Sequence, residues 1–372
     1  MFEITNVITF CLQLEFRGNM NIAIIGGGNM GTLMAAEFAL QGHNIKIYSR
    51  RPNDWSDAIE VYDRDDNLLF CSSNIMICSE LSQAVQDVEM ICITTPTSTF
   101  GEFANRLEPL VNEGQTLFVV PGIGGAEFAF YNLIQKGVIL LGMQRVHSIS
   151  RLKKYGQSVY MLGRKKELHI GTIPADAVDR YKEIVENLFS IKTVTLPNYL
   201  NVTLTPSNPI LHTTRLYALF HSKPTDYEYA DNPLFYERWD DESSEALLNC
   251  NDELMQICSK LPLDVSGVIS LRVCYESDSV ESMTARIRNM EELKGLGSPM
   301  CKSGNGWKVD WNSRYFTSDF PFGLKILIDI AKLFDVATPE MSKVWEWYLS
   351  TGAIKTVSPI TVDKEQFIEL YR

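Results

Sequence analysis

A short apolar strand at residues 20–25 runs straight into Gly26-Gly27-Gly28-Asn29-Met30-Gly31, and then into an Ala- and Leu-rich stretch that stops at Gly42. Strand, G-x-G-x-x-G and helix in that order leave a chain few folds to choose from. Gly26 permits the tight turn, Gly28 lets a pyrophosphate approach the backbone, and Gly31 lets the helix lie close on the strand. The helix N-terminus then offers unpaired N–H groups and a partial positive charge to phosphates. With a second strand at 44–48, this is the βαβ opening of a dinucleotide-binding, Rossmann-type sheet. Gly26, Gly28, Asn29, Met30 and Gly31 are the candidate contacts; a glycine turn with no ligand is the plainer alternative.

The residues closing the second strand bear on the choice of dinucleotide. An NAD site usually places Asp or Glu about twenty residues past the first glycine, to bind the ribose 2′-hydroxyl. Here that place holds Ser49-Arg50-Arg51. A hydroxyl and two guanidinium groups suit a 2′-phosphate, because arginine pairs with phosphate bidentately and keeps its charge. NADP (NADPH) is therefore expected ahead of NAD, with a solvated basic loop as the alternative. The run at 88–96 reads as a buried strand ending in a hydroxyl-rich loop, which adds Thr95 to the candidates.

The alternation continues with a helix at 100–111 and a strand at 115–120 that enters Pro121-Gly122-Ile123-Gly124-Gly125. Such a turn lies at the carboxyl edge, where ligands of open sheets bind. Further strands are expected at 138–141, 158–162, 168–171 and 192–196, and a helix at 175–189. A basic stretch (Arg145, Arg151, Lys153, Lys154, Arg164, Lys165, Lys166) reads either as a patch that focuses an anion or as a solvated hairpin face. Residues 1–19 read as a peripheral N-terminal extension to a domain spanning 20–197.

Composition narrows the partners. Against 34 Lys and Arg stand 46 Asp and Glu, a net charge of −12, so the chain lacks the broad positive field that draws nucleic acid or an anionic membrane. No apolar run approaches the roughly 18 residues of a spanning helix. Eight cysteines and five histidines show neither CxxC nor zinc spacing. A cytoplasmic protein acting on small molecules, with no metal, is the expectation.

From 198 to 372 helical periodicity takes over, defining a mostly α-helical second domain, with the cleft between the domains as the natural reaction site. Asp240 and Asp241 can cap a helix whose apolar residues Leu247, Cys250, Leu254, Ile257 and Leu261 share a face. A helix is expected to start at Pro321, the first position suiting proline, and another at Thr338-Pro339-Glu340. Its apolar and aromatic content is compatible with a homodimer. Two segments stand out. In Asn208-Pro209-Ile210-Leu211-His212 the Asn-Pro pair reads as a helix start with His212 one turn in. In Arg314-Tyr315-Phe316-Thr317-Ser318-Asp319-Phe320-Pro321-Phe322-Gly323-Leu324, Asp319 is a candidate carboxylate or merely a cap.

Taken with the glycine loop, these segments resemble the opine dehydrogenases, the octopine/nopaline dehydrogenase family, continuously from about residue 20 to 352. The resemblance rests on Gly26-x-Gly28-x-x-Gly31, Pro121-Gly122-x-Gly124-Gly125, Asn208-Pro209-x-x-His212 and Arg314-Tyr315-Phe316-Thr317-x-Asp319-x-Pro321-x-Gly323-Leu324. It implies reductive condensation of an amino acid with a 2-oxo acid, with His212 as catalytic acid/base and Asp319 as its partner. Arg314, with Asn208, would bind substrate. Where many relatives carry an acid beside that aspartate, this chain has Ser318. The alternatives are a glycerol-3-phosphate dehydrogenase- or ketopantoate reductase-like NADP dehydrogenase, which would use lysine, or a non-catalytic NADP-binding sensor.

Overall fold

The computed structural model describes residues 18–352, 360 and 362–372. The expected N-terminal extension lies outside the described residues except for Gly18 and Asn19. Two compact units divide the chain, one running to Thr203 and taking in Leu370–Arg372, the other spanning Leu204–Glu369.

The first unit opens with β1 (Asn21–Ile25), α1 (Asn29–Leu40) and β2 (Asn44–Tyr48). Three short strands follow, β3 (Ala58–Tyr62), β4 (Leu68–Ser73) and β5 (Ile75–Cys78), then α2 (Leu81–Val85), β6 (Met90–Ile93), α3 (Phe100–Leu107) and β7 (Thr116–Val119). Two short helices, α4 (Ala126–Ala129) and α5 (Tyr131–Gln135), lead to β8 (Ile139–Met143), β9 (Ser148–Lys154), β10 (Ser158–Arg164) and β11 (Glu167–Ile173). The unit closes with α6 (Val178–Phe189), β12 (Lys192–Thr195) and α7 (Leu200–Thr203). Eight strands form one sheet in the order β12-β11-β8-β7-β6-β1-β2-β5. From β8 through β5 every pairing is parallel; β11 turns antiparallel on β8. Strand order reverses beside β1, which is where an open α/β sheet receives its ligand.

A second sheet, β4-β3-β10-β9, was not foreseen. It packs against α1, which explains that helix's composition. A surface helix carries one apolar stripe, whereas one covered on both sides is apolar all round, and every residue from Gly31 to Phe38 is buried. Glu37 is the costly member of that run. Its carboxylate meets His147 Nε2 at 2.6 Å and Arg164 Nη1 at 2.5 Å, and Arg164 also donates to the Phe189 carbonyl. Burial pushes the Glu37 pKa up, but His147 and Arg164 together hold it below the ordinary value. Arg164, half-buried, thus turns from the expected basic patch toward α1, and Lys153 pairs with Asp66.

The second glycine turn is a packing device. A Cβ at Gly122 would lie 2.8 Å from the Gly142 Cα and 2.9 Å from the Tyr199 hydroxyl, which itself donates to the Gly122 carbonyl at 2.8 Å. At the C-terminus, Tyr371 donates to buried Glu127 at 2.6 Å, holding the last residues to this unit.

The second unit is helical, with one hairpin of β13 (Met300–Ser303) and β14 (Gly306–Val309). Its helices are α8 (Thr213–Phe220), α9 (Asp241–Lys260), α10 (Leu271–Cys274), α11 (Val280–Arg288), α12 (Lys325–Leu333), α13 (Pro339–Ser350) and α14 (Lys364–Leu370), whose last residue belongs to the first unit. Asp240 caps α9, accepting from the Ser243 N–H at 2.9 Å, and Pro339 opens α13 as expected. Pro321 does not open a helix. It lies inside a wide π-type turn, Tyr315–Leu324, and α12 begins after it. A second π-type turn, Ser207–His212, replaces the α-helix start expected at Asn208. Among the described residues no helix is long and apolar enough to cross a membrane.

Candidate active site

In the first unit the glycines divide by role. Gly26 has φ +123°, a conformation side chains resist, and a Cβ there would lie 2.6 Å from Thr94 Oγ1. At Gly31 a Cβ would stand 1.8 Å from the Gly26 carbonyl oxygen, backbone against backbone. Gly28, the N-cap of α1, is different: nothing lies within 4 Å of a Cβ there, and no side chain caps the helix. The helix end is therefore open on the side from which a phosphate would come, and the cradle fits a dinucleotide. Asn29 accepts from the Leu152 N–H at 2.8 Å, fastening the helix start to β9. Met30 packs on the core, and the Thr95 methyl borders Gly26.

At the end of β2 the three expected residues separate. Ser49 is buried, and its Oγ accepts from Trp55 Nε1 at 2.9 Å and the Arg51 N–H at 3.1 Å, with the Tyr155 hydroxyl at 3.2 Å. It braces the loop instead of facing solvent. Arg50 is exposed. Arg51, 61% exposed, lays its guanidinium 3.8 Å from the Tyr155 ring centroid and places Nε 3.6 Å from Asp54. Trp55, Tyr155 and Asp54 were all missed by the sequence reading. Trp55 would lie 2.5 Å from a Cβ at Gly27, so the aromatic pair walls the glycine loop. Neither residue falls in a motif, and only folding brings them there.

In the second unit the two π-type turns lie against each other, and a Cβ at Gly323 would come 3.2 Å from the Pro209 Cα. Their contact brings together residues 107 apart in sequence: His212 Nδ1 lies 2.8 Å from Asp319 Oδ2. Both side chains keep a small opening, 15% and 14% exposed. Asp319 is thus no helix cap. His212 Nε2 faces the Tyr236 hydroxyl at 3.2 Å, and the Tyr315 ring lies 4.8 Å from the imidazole. Burial pushes the Tyr236 phenol pKa far up, with Tyr315, Tyr275 and Asp319 adding and Arg314 opposing, so the phenol stays protonated. Arg314, immediately before Tyr315, is exposed. Asn208 is half-buried in the turn that ends at His212.

A fully buried arginine fixes this cluster. Arg215, three residues past His212, donates to the carbonyls of Phe235 and Arg238 and to Asp240 and Ser243. It pins both sides of Tyr236 from α8, the helix that directly follows the histidine.

The alpha-helical domain of the NAD/NADP octopine/nopaline dehydrogenases matches residues 195–350, and the N-terminal domain of NAD-dependent glycerol-3-phosphate dehydrogenase matches 21–145. Tauropine dehydrogenase of Arabella iricolor is 24% identical, over 88% of this chain and 90% of its own. These matches support placing the chain with the octopine/nopaline dehydrogenases. Octopine dehydrogenase solved with NADH and L-arginine superposes with a TM-score of 0.78 at 20% identity, covering 94% of both chains. Yersinopine dehydrogenase with NADP+ gives 0.66 at 12% identity, over 95% of this chain and 97% of that one. The protein is an NAD(P)-dependent oxidoreductase of the class acting on CH–NH groups. The helical-domain match sets it apart from glycerol-3-phosphate dehydrogenase, with which it shares the nucleotide-binding half.

Proposed function

We propose that this protein joins the amine of an amino acid to a 2-oxo acid and reduces the resulting imine, with NADPH preferred to NADH. The observation that carries the chemistry is the 2.8 Å contact between His212 Nδ1 and Asp319. A carboxylate on one ring nitrogen sets the tautomer and leaves the other to exchange a proton. His212 takes the proton of the substrate ammonium, which frees the amine to add to the ketone. It returns that proton to the carbinolamine hydroxyl, which leaves as water. Such proton transfer is worth about 10²- to 10⁴-fold. Arg314, exposed beside Tyr315, holds a substrate carboxylate, and Asn208 contributes from the facing turn. The nucleotide, when bound, supplies the two electrons that reduce the imine. Gly26, Gly28, Asn29, Met30, Gly31, Arg50, Arg51 and Thr95 form its cradle, with Ser49 bracing it.

The test is NADPH oxidation with pyruvate, glyoxylate or 2-oxoglutarate, each with and without a pool of amino acids. Oxidation that requires both partners supports the proposal, and the product mass names the pair. Oxidation with the oxo acid alone would make the protein a hydroxy-acid dehydrogenase. His212→Ala should remove most turnover while leaving NADPH affinity nearly unchanged; turnover within a few-fold of wild type would reject the histidine.

A further inference from the structure

Both nitrogens of His212 are engaged. Nδ1 faces Asp319 at 2.8 Å and Nε2 faces the Tyr236 hydroxyl at 3.2 Å. With the carboxylate at Nδ1, the ring carries its proton there and presents a lone pair at Nε2. The neutral phenol is then the donor to Nε2. Tyr236 is not loosely placed: Arg215 binds the carbonyls of Phe235 and Arg238 on either side of it, and its ring lies 4.9 Å from Phe235 and stacks on Trp239. The Tyr236 hydroxyl therefore stands at the one ring nitrogen left to exchange a proton.

We infer that the Tyr236 hydroxyl is a catalytic relay through which His212 exchanges its proton with substrate. The inference rests on the acid/base reading of His212. In the forward sense the substrate ammonium N–H breaks and its proton passes to the Tyr236 oxygen, while the Tyr236 O–H breaks and its proton passes to Nε2. The phenol ends as it began, the amine is neutral and the imidazole holds one added proton. The reverse passage delivers that proton to the leaving hydroxyl. At no stage does the phenol hold a net charge, which suits a side chain whose burial opposes ionisation.

The experiment is a double-mutant cycle with Tyr236→Phe and His212→Gln, read as single-turnover NADPH oxidation with the amino acid and oxo acid that give turnover. Tyr236→Phe keeps the ring and removes only the hydroxyl. It should lower the rate about tenfold or more in the wild-type background and less than about twofold in the His212→Gln background, since coupled residues are non-additive. If Tyr236 merely covers Nε2 and swings aside, Tyr236→Phe turns over as fast as wild type or faster, and the relay is wrong. Equal losses in both backgrounds show a structural role and also overturn it. Near wild-type rates for His212→Gln alone defeat the acid/base reading instead.

Where His212→Gln is too slow to measure, carbethoxylation of His212 by diethylpyrocarbonate, mapped by mass spectrometry, supplies a readout independent of turnover. Loss of the phenol should speed modification several-fold, and an unchanged rate means the phenol does not hold Nε2.

Discussion

The nucleotide preference gives the sharpest numerical test, because three charged groups at the end of β2 should respond differently. Arg50 is exposed, so its value to the nucleotide is its charge. A charge-assisted hydrogen bond contributes about 1.5–3 kcal/mol where water is excluded, and solvent reduces that here. We take about tenfold in affinity. Arg50→Ala should therefore raise the Kd for NADPH about tenfold and change that for NADH less than about twofold, since NADH lacks the 2′-phosphate. Arg51 acts differently. Its guanidinium lies 3.8 Å from the Tyr155 ring centroid, a contact worth about 0.5–1 kcal/mol at an exposed site, and Tyr155 walls the glycine loop that both nucleotides use.

Arg51→Ala should consequently weaken both, by about two- to fivefold for NADH. Asp54, 3.6 Å from Arg51, repels a phosphate that Arg51 attracts, so Asp54→Asn should tighten NADPH by a few-fold and leave NADH alone. The assay is titration of each nucleotide by energy transfer from tryptophan, at low and high salt. Raising the ionic strength shortens the screening length to about 3 Å at 1 M and should erase most of the differences among these proteins. If Arg50→Ala and Asp54→Asn both leave the NADPH-to-NADH ratio within twofold of wild type, the 2′-phosphate is not read at this loop.

Three further outcomes follow from the packing. Gly31→Ala places a methyl against the Gly26 carbonyl and should cost about 1–3 kcal/mol in unfolding together with nucleotide binding, whereas Gly28→Ala, with open space around it, should lose nucleotide affinity and keep the melting temperature. Glu37→Gln takes the charged partner from half-buried Arg164 and should destabilise the first unit by about 1.5–3 kcal/mol. Because the folded Glu37 pKa lies below 4.5, its contribution is complete above that pH and is lost on acidification through the folded value. The wild-type urea midpoint should accordingly fall more steeply below pH 4.5 than that of Glu37→Gln; parallel curves would refute the pairing. Gly323→Ala should push Pro209 aside by a few tenths of an ångström and lower turnover more than nucleotide affinity; unchanged turnover would mean the dyad tolerates the shift.

What could be read in advance depended on how local the cause was. Gly26 and Gly31 are demanded by contacts within one strand–turn–helix, and Asp240 caps the helix it precedes, so both were legible. The sheet of β3, β4, β9 and β10 was not: β10 was expected as a strand at 158–162, but β3 pairs with it from about a hundred residues away, and nothing local announces β3 or that pairing. Arg164 read as part of an anion-focusing patch or a solvated hairpin face, since nothing nearby in sequence shows it reaching Glu37 on α1. Tyr236 and Trp55 have no signature at all. Each belongs to a connecting segment and meets its polar side-chain partner only in the fold, His212 for the first and Ser49 for the second. His212 and Asp319 were reached only by resemblance; their spacing alone predicts nothing about a 2.8 Å contact.

The prolines and glycine of those two segments have a role separate from the chemistry. Pro209 and Pro321 misled the reading because proline is favoured at the first position of an α-helix, yet here both lie inside π-type turns, a rare conformation frequently found at functional sites. A wide turn disrupts the i→i−4 ladder and leaves carbonyls to be satisfied. The hydroxyl of Thr213 donates to the Pro209 carbonyl at 2.6 Å, that of Thr214 to Ile210 at 2.8 Å, and that of Tyr348 to Phe316 at 2.7 Å. Gly323 then lets the two turns close on each other at Pro209. The motif residues around His212 and Asp319 are thus mostly backbone-shaping ones, and what they shape is a fixed separation between a histidine and a carboxylate. A proton-exchanging pair gains from that arrangement because its geometry is set before substrate arrives, and no binding energy is then needed to assemble it.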